Sequence, residues 1–238
     1  STSDVLIENF KVGSLQKFGL DYAALFPENP KLIYCSVTGF GQDGPRSHKA
    51  GYDFMIQGMS GIMDITGEPD GMPQKVGVAF ADVFTGLYGV IGIQAALAQR
   101  AHTGKGQHVD MALFDCMLAA QANQNLNYLT TGKSPQRMGN AHPSIVPYQV
   151  FPVGDGHIVI ACGNNRQFHN LARALGREDW IEDPIFADNI TRITNRTEVV
   201  DQITAQLSQW AKLDVLPALE AAGVPSGPIN TIAEALED

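Results

Sequence analysis

Cysteine is scarce. Cys35, Cys116 and Cys162 are the only three in 238 residues, far apart and without CxxC spacing. That pattern excludes a disulfide framework and makes the cytoplasm, a reducing compartment, the default address. Basic residues are also short: 16 Lys and Arg stand against 25 Asp and Glu, a net charge of -9, with no basic tract to offset it. The balance argues against nucleic-acid binding. It leaves small anions open, because a local basic cluster holds them against a negative total. The six histidines show no metal-ligand pairing, so no metal site is expected. The most apolar run, residues 83–98, is short and broken by glycines. We therefore expect a buried core helix there and no membrane span. No Walker loop, HExxH or GxSxG occurs, and no GxGxxG follows a strand.

What is present suits a soluble globular protein, 44% hydrophobic and 17% charged. Residues 4–8 read as a short strand. KLIYCSVTGFG, from Lys31, reads as a second, rich in β-branched and aromatic residues and closed by glycine. Short helical turns are expected at 14–18 and 22–25. Past the loop GQDGPRSHKAG, residues 52–63 read as an apolar helix or coil. Two long helices follow, at 83–100 and 111–129, joined by a strand at 107–110. Gly86, Gly89 and Gly92 recur in the first, permitting close approach of a neighbour at about 1 kcal/mol of helix propensity each. The amide-rich tail of the second, AQANQNLNYL, is expected to face a partner or a polar groove.

Residues 130–143, TTGKSPQRMGNAHP, have linker composition. The expected division is 1–130, a linker at 131–145, and a small α+β domain at 146–238. That domain opens with paired strands at 146–151 and 157–162 around VGDG, and continues with helices at 167–175, 196–210 and 215–222. The opening STSDVLIENF and closing TIAEALED read as a piece of a longer protein.

Asp82 stands out. It is the single charged residue between Lys75 and Arg100, at the point where an apolar run turns into a small-residue helix. A carboxylate there is a helix N-cap, a working group, or both, since a helix N-terminus stabilises an anion.

Six blocks carry a wider pattern: ENFKVGSLQKFGL, YCSVTGFGQDGP, GYDFMIQGMSG, GVAFADVFTGLYGVIG, HTGKGQHVDMALFD and RMGNAHPSIVPYQVF. In this order they resemble the family III CoA-transferases (CaiB/BaiF type), the group that includes formyl-CoA transferase. The last block most resembles enzymes that move CoA between dicarboxylic acids. The resemblance implies an α/β fold: a partial Rossmann-like large domain plus a smaller α+β domain, in an interlocked homodimer. It implies acyl-CoA and a free carboxylic acid as substrates, with coenzyme A arriving as acyl-CoA and no permanently bound cofactor.

The resemblance also assigns roles. Asp82 becomes the nucleophile that attacks the thioester, with Asp53, Tyr52 and His142 as supporting groups. Asn9, Phe10 and Lys17 match the family's CoA-contacting segment, Lys11 and Lys49 are further candidates for the same work, and the bidentate geometry of Arg46 suits a substrate carboxylate. Racemases of the same fold carry histidine in a GHD triplet where this chain has Gly51-Tyr52-Asp53. Racemisation needs two acid/base groups across the α-carbon, so the tyrosine favours transfer. An acyl-CoA racemase or mutase and an inactive CoA-binding piece are the alternatives.

Overall fold

The computed structural model describes residues 3–238. The chain is mixed α/β with one parallel and one antiparallel sheet, and it divides into two compact units, 1–137 and 138–238.

In the first unit, β1 (Val5–Glu8), β2 (Ile33–Thr38) and β3 (His108–Ala112) form a parallel sheet in that order. Side chains alternate across it. Tyr34 and His108 face α1 (Tyr22–Glu28), whose Tyr22 stacks on His108 at 4.8 Å. Val109 and Met111 face α3 (Phe80–Thr103). The glycine repeat explains that contact: a Cβ on Gly92 would stand 2.9 Å from Val109 Cγ1, and one on Gly89 would meet Met111. Gly86, by contrast, has nothing within 4 Å. Between β2 and α3 lies α2 (Asp53–Ser60). Gly39, just past β2, and Gly51, just before α2, pack backbone on backbone; a Cβ on either would collide with the other's Cα.

Several expectations need correction. Helix α3 starts three residues earlier than the pattern suggested, so Asp82 lies inside its first turn, and no strand precedes it. With 24 residues it is long and apolar enough to cross a membrane by length and composition, against the expectation of a short run. It is also not a buried core helix. Ala81, Thr85, Gly89 and Ala96 are buried, while Val83, Leu87, Val90 and Ile91 are exposed. The single helix expected at 111–129 is instead the end of β3 followed by α4 (Leu113–Ala120) and α5 (Ala122–Thr131). Ala122 breaks it with φ at 39°. The buried Gln121 fills the break, donating to the carbonyls of Ser60 at 2.8 Å and Met117 at 3.3 Å.

In the second unit, β4 (Tyr148–Val153) and β5 (Gly156–Ala161) form the hairpin turned by Gly154 and Asp155, and β6 (Ser226–Pro228) joins antiparallel. Helices α6 (Asn165–Ala174), α7 (Asp179–Glu182), α8 (Asn189–Thr194), α9 (Arg196–Leu207) and α10 (Lys212–Ala221) surround it, and α11 (Ile232–Glu237) ends the chain. The short α7, α8 and β6 were not foreseen. The core centres on Phe151, Ile158, Ile160, Phe168 and Ile203, all fully buried. Arg192 is buried there too, and it donates to the Val146 and Phe186 carbonyls at 2.7 and 2.8 Å. Each of these bonds replaces lost hydration, as burial of a cation requires.

Candidate active site

Asp82 is the third residue of α3. The N-cap position is Ala79, which has no side-chain acceptor, yet the first-turn N–H groups of any helix need partners. Asp53 supplies one from another helix: its Oδ1 accepts from the N–H of Ala81 at 2.8 Å and lies 3.4 Å from that of Asp82. Asp82 therefore does not cap its own helix, and its side chain is left free. The backbone beneath it is fixed. Ala81 is buried with Ile56, Leu113 and Met117, and the Thr85 hydroxyl donates to the Ala81 carbonyl at 2.7 Å.

The Asp82 carboxylate is exposed to a cleft of 760 Å³. Asn9, Phe10 and Lys11 line it from beyond the end of β1, Lys49 and Tyr52 from the loop before α2, and Asp53 from the first turn of α2. Seven of the residues singled out in the sequence thus meet around one space. The cleft walls strip part of the hydration from Asp82 and raise its pKa above the ordinary 3.8, and the negative charge of Asp53 adds to the rise.

Three other candidates lie elsewhere. Lys17 sits on a short 3₁₀ turn (Gln16–Phe18), with Nζ 4.9 Å from the Phe18 ring, and does not line the cleft. Arg46 is drawn over Phe40 and Phe114, 5.9 and 5.7 Å from their centroids, and lines a separate surface depression. Cation–π attraction accounts for that pose. His142 belongs to the second unit, where its Nδ1 accepts from the Ser144 N–H at 3.0 Å and its carbonyl accepts from Arg196.

The cleft also holds residues the sequence reading passed over: Thr38, Ser47, His48 and Thr85. Ser47 and His48 precede Lys49 in a segment read only as a polar loop. Their one signal was adjacency to that lysine. A smaller cavity of 260 Å³ shares Lys11 and Val12 and is lined by Glu8, Tyr34, Ser36 and His108. Ser36 Oγ lies 2.9 Å from His108 Nε2.

The sequence profile described as CoA-transferase family III matches residues 1–238. The chain belongs to this family. Relatives of this family III chain include a succinate–glutarate CoA-transferase of Agrobacterium fabrum, 53% identical over 237 residues, covering 100% of this chain and 59% of the relative. An acetyl-CoA:oxalate CoA-transferase of Acetobacter aceti is 41% identical over 234 residues, with 98% and 60% covered. Among solved structures, a CaiB/BaiF family protein from Brucella suis is 59% identical with a TM-score of 0.86, covering 99% of this chain and 62% of that one. The family III chain thus spans about three-fifths of the length of these relatives.

Proposed function

We propose that the protein is a CoA-transferase that moves CoA from an acyl-CoA thioester to a free dicarboxylic acid, with Asp82 as the covalent nucleophile. One observation carries this reading: the lone carboxylate of α3 projects into the cleft that also gathers Asn9, Phe10, Lys11 and Lys49. The names of the relatives supply the dicarboxylate class.

A carboxylate suits the task because it is nucleophilic without a general base and its acyl adduct is an activated anhydride. In the first step an Asp82 oxygen attacks the thioester carbonyl; the C–S bond breaks, CoA leaves as thiolate, and a mixed anhydride remains. The thiolate then attacks the Asp82 carbonyl of that anhydride. This releases the donor acid and leaves an aspartyl-CoA thioester. The acceptor carboxylate attacks that thioester, giving a second anhydride and free thiolate. Attack of the thiolate on the acceptor's carbonyl yields the new acyl-CoA and restores Asp82. No net proton is consumed.

Lys11 and Lys49 serve the CoA phosphates as point charges, and Asn9 and Phe10 contact the rest of the cofactor-like substrate. Asp53 holds the helix end that presents Asp82, and Tyr52 closes the wall beside it. The exposed apolar face of α3 supports pairing with a second copy of the chain.

The test is to incubate the full-length gene product with succinyl-CoA and isotopically labelled glutarate, and to look for labelled glutaryl-CoA by mass spectrometry. Hydroxylamine should trap Asp82 as a hydroxamate during turnover. Active enzyme that still turns over as Asp82→Asn would overturn the assignment.

A further inference from the structure

Gln57 is a polar side chain with no exposure to solvent, one turn along α2 from Asp53. Its amide is fully engaged. Nε2 donates to Asp53 Oδ2 at 2.8 Å and lies 3.4 Å from the Val78 carbonyl, while Oε1 accepts from the Val76 N–H at 2.9 Å. These bonds link three things: the carboxylate that caps α3, the strand-less segment at 76–78 that leads into α3, and the helix that carries both Asp53 and Gln57. The two Asp53 oxygens have separate partners, with Oδ1 serving the first turn of α3 and Oδ2 serving Gln57. A carboxylate with one oxygen pinned has little freedom to rotate, so its other oxygen stays aimed at the helix end. That aim fixes the Ala81–Asp82 peptide, from which the Asp82 side chain departs.

We propose that Gln57 is a positioning residue for the Asp82 nucleophile, acting through Asp53. The inference rests on the transferase reading above. It assigns a mechanistic role to a buried amide that does not line the cleft. Misplacing a reacting group by a fraction of an ångström lowers the rate of the chemical step more than it weakens binding.

The chemistry of the pair offers a discriminating experiment. Gln57→Glu keeps the volume and the acceptor for Val76; burial beside Asp53 raises the new carboxyl's pKa, so the variants are compared at about pH 9, where its ionised form turns a donor against Asp53 into a second acceptor. Asp53→Asn combined with Gln57→Glu restores one donor and one acceptor with their polarity reversed. We expect the full-length Gln57→Glu enzyme to lose about tenfold or more in kcat for succinyl-CoA with glutarate, with KM for succinyl-CoA held within about twofold. The double variant should recover most of that loss, a strongly non-additive result. A purely packing role would lower thermal stability while leaving kcat per folded molecule unchanged and the two substitutions additive.

If Gln57→Leu, which can donate to Asp53 at no pH, folds and keeps wild-type kcat, or if the double variant shows no recovery over Gln57→Glu at that same alkaline pH, the positioning role is wrong. Should Gln57→Glu fail to fold, kcat of the double variant is compared with that of Asp53→Asn alone: a gain supports the pair, and no gain overturns it. If the wild-type enzyme itself transfers no CoA, the transferase reading falls and this inference falls with it, an outcome distinct from active wild type with indifferent variants.

Discussion

The Asp53 carboxylate caps a helix to which it does not belong, reaching the Ala81 N–H at 2.8 Å across 28 residues of sequence. The bond leaves the neighbouring Asp82 side chain exposed and free of capping duty. One aspartate holds the backbone, and the other is available for chemistry.

Replacing Asp53 by Ala removes that cap, and loss of a helix cap costs about 0.5–2 kcal/mol. Urea denaturation of the variant should show a lower midpoint of that size. Asp53→Asn keeps an oxygen for Ala81 and should lose less.

The pH profile follows from the raised pKa of Asp82. On the proposed mechanism Asp82 attacks in its ionised form, so the acid limb of turnover is expected above the ordinary carboxylate value of 3.8. Burial is the larger cause and the Asp53 charge the second. Neutralising Asp53 as Asp53→Asn removes the second cause, and the acid limb should move down, part of the way towards 3.8. A limb that stays fixed or moves up would contradict the electrostatic coupling. The measurement is kcat against pH for the two proteins.

His108 sets a stability window. Burial lowers its pKa below 6.5, partly offset by the charges of Asp110 and Glu8. As pH falls below 6.5, the unfolded chain takes up a proton that the folded chain refuses. Stability is therefore greatest above that value and declines through the acid range down to the folded pKa. His108→Gln should flatten this slope in chemical denaturation followed from pH 8 to pH 5.

Gly51→Ala drives a methyl into the Gly39 backbone. Overpacking of this kind costs about 1–3 kcal/mol. Because Gly51 leads directly into Tyr52 and Asp53, activity should fall further than stability explains. Thermal denaturation and kcat measured together separate the two effects.

The thiols should be silent. Cys35, Cys116 and Cys162 are each free and buried, and burial pushes Cys162 up to about 12. Reaction depends on thiolate and access, so a disulfide reagent should label none of the three in the native protein and all three in denaturant.

Much of this was legible in the chain. The β-branched run of β2, the hairpin turn at Gly154 and Asp155, and the helix following Asp82 each have local causes, and local causes show in local sequence. Asn164 likewise caps α6, its side chain accepting from Gln167 at 3.0 Å. What was missed has distant causes. The start of α3 depends on Asp53, so no cap residue marks it. The break at Ala122 is stabilised by Gln121 reaching back to Ser60, 61 residues away. The position of Arg46 depends on two aromatic rings, one of them far along the chain on α4. A sequence pattern names the charged residues of a loop but not the direction in which the loop aims them.

Gly86 stands one helical turn beyond Asp82, on the same side of α3, because residues four apart share a face. It borders the cleft with open space where a side chain would be. Headroom above Asp82 is therefore set by the absence of a single methyl group. Building outward from this position one heavy atom at a time, from alanine to serine to valine, should on the proposed function grade the bulk of acyl chain admitted, making it a handle for retuning which acids are accepted.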